Sequence, residues 1–101
     1  TRTNISPKLW GRPAWTFIGS VVESYPDPPT PHDVIWMTDF LVVLAEALPC
    51  ESCRNNYNAW ISARPIETAI ESKTKIRLWF QEYKKWQDAP PGTPLIQDTS
   101  L

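Results

Sequence analysis

Four stretches of the chain repeat their apolar residues at three- and four-residue intervals, and proline-rich segments separate them. The first is marked by Trp15, Ile18, Val22 and Tyr25, with Pro13 at a position a first helical turn tolerates. This predicts a helix from about Pro13 to Tyr25, stopped by Pro26-Asp27-Pro28-Pro29. The second opens at Thr30-Pro31-His32-Asp33, where Thr30 can cap the end and Asp33 complements the positive helix terminus. It runs through Trp36, Phe40, Val43, Leu44 and Ala47 to Leu48, where Pro49 breaks it. A third helix is expected from Cys50 or just after it, through Tyr57 and Trp60, to about Ser62. A short turn near Glu67–Ile70 leads to a last helix from about Thr74 to Gln87, with Ile76, Trp79, Phe80 and Tyr83 on one side. No strand-like alternation of any length and no internal repeat interrupts the series. The expected fold is all-α: a four-helix bundle with a short additional helical turn.

Composition sharpens this picture in a few places. The 101 residues fit one domain, read as an N-terminal extension (1–9), a helical domain (10–88) and an extended Pro-rich tail (89–101). The net charge of −1 gives no electrostatic footprint for nucleic acid. No apolar run reaches the roughly 18–20 residues needed to span a bilayer, and Thr1–Pro7 lacks the apolar core of a signal peptide. Nucleic acid and membrane are therefore not expected partners, and the compartment stays open. Six tryptophans are many for this length. Each suits core packing, and the number favours one or two of them lining an aromatic pocket.

Both cysteines lie in one Cys50-Glu51-Ser52-Cys53 segment. As half of a zinc site the pair would need two more ligands, and the chain offers only His32 and carboxylates. As a staple it closes too small a loop to remove much chain entropy. As a redox pair it is better placed, because unpaired N–H groups and the dipole at a helix start stabilise a thiolate. Two thiols one turn apart can also open and close a disulfide with little backbone movement. A thioredoxin-like setting needs strands that are not present. A helical redox pair must then take its electron acceptor from elsewhere, and a flavin is the natural candidate. His32, the sole histidine, stands at a helix start among prolines and reads as a surface residue.

Three blocks carry a resemblance that covers roughly residues 10 to 88. Trp10-Gly11-Arg12-Pro13-Ala14-Trp15-Thr16-Phe17-Ile18 is similar to a W-G-x-x-x-W opening. Tyr25-Pro26, Thr30-Pro31, Phe40 and Leu48-Pro49-Cys50-Glu51-Ser52-Cys53 follow a Y-P…P-C-x-x-C pattern. Trp79-Phe80-Gln81-Glu82-Tyr83 looks like the approach to a W-x-x-x-L-H-N-x-V-N helix. Together they resemble the FAD-linked sulfhydryl oxidases of the Erv/ALR family, in the short single-domain form found in large DNA viruses.

The resemblance implies FAD beside the Cys-x-x-Cys, with Cys53 as the flavin-proximal thiol in charge-transfer contact and Cys50 as the thiol that exchanges with substrate. Electrons would pass from protein thiols to the pair, the flavin and oxygen, giving hydrogen peroxide. Gly11, Arg12 and Trp15 fall where the family packs the cofactor, and pairing through the first two helices is the family habit. At four positions the chain differs: Gly19 and Lys84 stand where the pattern has His, and Lys85 and Asp88 where it has Asn. A lysine can meet a diphosphate as a point charge but offers no flat ring to stack on adenine. The Asp88 carboxylate faces like charge there unless Lys84 or Lys85 offsets it. Three functions follow: a FAD-dependent thiol oxidase acting on partner proteins, a former oxidase kept as a structural or docking subunit of an assembly such as a viral capsid, and a flavin-free dithiol that exchanges with one partner. These 101 residues hold no second Cys-x-x-Cys to act as shuttle, so a substrate is expected to reach Cys50 directly or to bring its own.

Overall fold

The computed structural model describes residues 2–89, and within them the chain forms five helices and no strand. The Pro-rich tail expected beyond Ala89 lies outside the described residues. Helix α1 spans Pro7–Glu23, α2 Pro31–Ala47, α3 Glu51–Ala63, α4 Ile66–Ala69 and α5 Lys73–Gln87. Four long helices and one short turn of helix make up the expected all-α bundle.

The first helix starts six residues earlier than its apolar pattern predicts. Pro7, not Pro13, takes the first position, and the Ser6 hydroxyl accepts from the Lys8 N–H at 3.2 Å as the cap. Pro13 falls inside the helix on its exposed side, where water can serve the carbonyl that loses its partner. The start of α2 follows its sequence closely. The Asp33 N–H donates to Thr30 Oγ1 at 3.1 Å, and the Thr30 N–H donates back to Asp33 Oδ2 at 2.8 Å. This reciprocal box satisfies two groups that a helix start otherwise leaves open. Ser72 caps α5 through the Lys75 N–H at 3.1 Å.

Packing gathers the large side chains between α2, α3 and α5, with the end of α1 and all of α4 closing one side. Tyr25, Met37 and Ile76 expose nothing, and Leu41, Trp60 and Val22 about 1%. Burying side chains of this size stabilises the fold by roughly 1.5–3 kcal/mol each before chain entropy is subtracted. Two of the three core phenols donate to backbone carbonyls: Tyr25 to Ile70 at 2.7 Å and Tyr57 to Leu41 at 2.6 Å. Trp79 Nε1 donates to the Arg64 carbonyl at 2.8 Å. Trp60 stacks on Trp86 at 6.1 Å and 22°, and the Arg64 guanidinium lies 5.5 Å from the Trp60 ring. Most tryptophans therefore serve the core or its rim. At the surface, Arg77 of α5 clasps Glu23 of α1 through two bonds of 2.8 and 3.0 Å. No helix among the described residues is long and apolar enough to cross a membrane.

Candidate functional site

Pro49 ends α2 and passes the chain extended into Cys50, whose φ of −156° and ψ of 124° lie outside the helix it opens. Cys50 is itself the cap of α3. Its Sγ accepts from the Cys53 N–H at 3.3 Å and sits 3.2 Å from the Ser52 hydroxyl. A thiol thus takes the place usually held by Ser, Thr or Asp, and helix-start N–H groups meet the sulfur. Hydrogen bonding from Cys53, then from Ser52, holds the Cys50 thiol below the ordinary thiol range. Cys53 differs. Burial, and after it the neighbouring Cys50, pushes its thiol up to about 11. Both cysteines are free thiols.

The corner between α2 and α3 is held from two sides. Arg54 Nη1 donates to the Leu48 carbonyl at 2.6 Å. From the other side the residues before α1 run across the corner. The Ile5 N–H donates to the Pro49 carbonyl at 2.7 Å, and the Glu51 N–H donates to Asn4 Oδ1 at 2.8 Å. The Arg2 guanidinium reaches the Glu46 and Ala47 carbonyls at the end of α2.

Cys53 lies on the wall of a cavity of about 240 Å³ enclosed by α1, α2, α3 and α5. Pro7, Trp10, Gly11, Ala14, Trp15 and Ile18 form one side, and Leu41, Leu44 and Leu48 another. Tyr57, Trp79, Phe80 and Tyr83 complete the lining, with Gln87 and Asp88 as its polar end. The Trp15 ring centre is 5.5 Å from both Phe80 and Tyr83. The Tyr83 hydroxyl accepts from Gln87 Nε2 at 3.0 Å, and burial pushes its pKa up to about 12. This space is just below the ~300–1,000 Å³ of pockets for drug-sized ligands, so it suits a fused ring system and not a whole dinucleotide.

The candidate residues separate on this geometry. Cys53, Gly11, Trp15 and Asp88 line the cavity together. Cys50 faces away from it, toward an open groove between the N-terminal segment and α3. Arg12, Lys84 and Lys85 are exposed and lie off the cavity wall, the two lysines on the last turn of α5 before Asp88. Gly19 belongs to a separate shallow groove, with Phe80 3.5 Å from where its side chain would begin. Sequence reasoning passed over Tyr57, Phe80, Tyr83, Leu41 and Leu44 as cavity residues. Their spacing marks a buried face, and nothing local shows where that face leaves space.

A dithiol at a helix start, one sulfur beside an open groove and one against an aromatic cavity in an all-helical frame, defines a helical dithiol protein distinct from the strand-based kind. Residues 12–84 match the Erv1 / Alr family profile, and the chain belongs to that family. It is 32% identical over 72 residues to the mitochondrial FAD-linked sulfhydryl oxidase ERV1 of Saccharomyces cerevisiae, covering 71% of this chain and 37% of that one. It is 26% identical over 93 residues to protein 096R of Invertebrate iridescent virus 3, named among the FAD-linked sulfhydryl oxidases, covering 92% and 63%. The crystal structure of the yeast Erv1 core superposes with a TM-score of 0.74 at 26% identity, covering 88% of this chain and 77% of that one. The chain thus spans between 37% and 63% of the length of these two curated relatives.

Proposed function

We propose that this chain is a flavin-linked thiol oxidase domain in which Cys50 exchanges with the thiols of protein substrates and Cys53 faces the cofactor. The observation that carries this reading is the division of the pair: Cys53 on the wall of the aromatic cavity, Cys50 on the outer groove. The cavity suits the ring system of FAD. Its walls are flat and apolar, and Gly11 contributes no side chain to fill it. Gly11 meets nothing closer than Pro7, at 3.8 Å from a would-be Cβ, so internal packing does not demand a glycine there. A mid-helix glycine costs about 0.5–1 kcal/mol relative to alanine, which favours a role in leaving space. Trp15, Tyr57, Phe80 and Tyr83 would hold the ring. The anionic remainder would leave past Gln87 and Asp88, where Lys84 and Lys85 supply the offsetting charge and Arg12 a further cation from α1. When bound, FAD supplies the two-electron acceptor that returns the reduced pair to its disulfide, with oxygen as final acceptor.

The protein's own part is asymmetry. Helix-start donors stabilise negative charge on Cys50 as it is displaced from a substrate disulfide. Burial keeps Cys53 protonated when it faces the cavity alone. Pairing of two copies is supported by exposed apolar residues, Leu9 and Phe17 on α1 and Ile35, Val42 and Val43 on α2.

The structural-subunit reading is favoured by one set of observations. Gly19, Lys84 and Lys85 all stand off the cavity wall at positions where the family pattern has stacking and hydrogen-bonding side chains. Oxygen uptake separates the two. With excess FAD and a reduced protein substrate, the wild-type chain should consume oxygen, and Cys50→Ser and Cys53→Ser should not. Uptake no faster than free FAD alone, from folded protein, would overturn the oxidase reading and leave the structural one.

A further inference from the structure

Cys50 is the thiol on the outer face, yet it exposes only 7% of its surface. Across the groove from it stands the segment before α1. Asn4–Pro7 form one wall of the groove, and Cys50, Glu51, Ser52 and Asn55 form the other. The segment is fastened across the corner by the Ile5 N–H to the Pro49 carbonyl and by the Glu51 N–H to Asn4 Oδ1. Arg2 adds its bonds to the end of α2. These contacts join residues 44 to 47 apart in sequence, so they are tertiary fastenings of the Cys-x-x-Cys corner.

We propose that Asn4–Pro7 is a specificity-determining strap that admits to Cys50 only thiols carried on extended polypeptide. The inference deepens the oxidase reading and rests on it for the nature of the substrate. A thiol on a folded surface brings a broad face, which the strap blocks. A thiol on an extended segment can lie lengthwise between strap and helix. Asn4, Ser6, Ser52 and Asn55 line that course with neutral hydrogen-bonding groups, and an extended chain has unpaired backbone N–H and C=O groups to offer them. In the exchange, the substrate thiolate bonds to Cys50 Sγ as the Cys50–Cys53 bond breaks. The electron pair goes to Cys53 Sγ, which takes a proton. A second substrate thiolate then attacks the substrate sulfur of the mixed disulfide, closing the substrate disulfide and releasing Cys50, which takes the second proton. Two electrons and two protons thus pass from substrate to pair.

The test uses the full reduced chain and two alkylating reagents, iodoacetamide and a polymer-bearing maleimide, with Cys50 modification followed by mass spectrometry. Asn4→Ala removes the bond to Glu51, and Ile5→Pro removes the N–H that holds Pro49. Ile5→Ala keeps that N–H and serves as control. Each lost fastening should raise the bulky-reagent rate at Cys50 about three- to tenfold, with a much smaller rise for iodoacetamide and none for Ile5→Ala. In turnover, wild type should prefer a reduced unfolded peptide dithiol to a reduced folded protein, and Asn4→Ala should narrow that preference. A bulky-to-small rate ratio unchanged in Asn4→Ala overturns the strap, and so does an undiminished preference. The alkylation arm needs no flavin, so a shifted ratio without any oxygen uptake would fault the oxidase reading and leave the strap standing.

Discussion

Selective alkylation of the reduced pair tests the division of labour between the two cysteines. Cys53 is pushed up to about 11, whereas Cys50 lies below its ordinary 9.0. That gap exceeds two pH units, so at pH 7.5 the Cys50 thiolate outnumbers that of Cys53 by more than about a hundredfold. Nucleophilicity falls with pKa along a slope of about 0.4–0.5, which offsets nearly half of that advantage on the logarithmic scale. An advantage of at least about tenfold in rate remains. The assay is limiting iodoacetamide on the fully reduced chain, with the modified cysteine identified by mass spectrometry. The pH dependence has a definite sign. Lowering a thiol's pKa moves its reactive form to lower pH, so Cys50 labelling should level off below pH 9. Cys53 labelling should keep rising about tenfold per pH unit toward 11. Cys53→Ala removes the largest influence on Cys50 and should move the Cys50 midpoint up toward 9. Equal labelling of both thiols at pH 7.5, or faster labelling of Cys53, would mean that the helix-start donors do not set Cys50 apart.

Tyr57→Phe removes the phenol's bond to the Leu41 carbonyl, which keeps its helical partner in α2, and should lower unfolding free energy by about 0.5–1.5 kcal/mol in urea titrations. Thr30→Ala opens the reciprocal box at α2 and should cost about 1 kcal/mol by the same measurement, with the Cys50 alkylation rate unchanged. Phe17→Glu places a charge in the exposed apolar face of α1, so any pairing of copies through that face should shift toward monomer in sedimentation velocity.

Much of this molecule was legible because its helix boundaries are written in local chemistry. Thr30 to Asp33 spells a cap, Pro49 a break, and the spacing of Ile76, Trp79 and Tyr83 a buried face; each reads the same in three dimensions. The start of α1 was not legible for the same kind of reason. Two prolines six residues apart both suit a first turn, and only Ser6 as cap distinguishes them. The placing of Cys50 at the mouth of α3 follows from sequence. The partition of the two sulfurs between groove and cavity was implied by the family resemblance and not by local spacing, since it depends on how α1 and α5 close over α3. Nor is the strap visible beforehand: Asn4 meets Glu51 across 47 residues, and no local pattern announces that meeting. Likewise Lys84, Lys85 and Arg12 share one sequence register with cavity residues but are turned to solvent by the helical period.

If the aromatic cavity beside Cys53 receives a flavin ring, FAD titrated into the purified chain will bind there. Flavin fluorescence and the visible spectrum report binding without reference to turnover. The expected result is quenched fluorescence and a perturbed spectrum, both saturating at one flavin per chain. Ala14→Trp, which fills the cavity from α1 while leaving both cysteines in place, should lose both signals. FAD that stays free at every concentration over folded wild-type protein, or binds Ala14→Trp equally well, would contradict it.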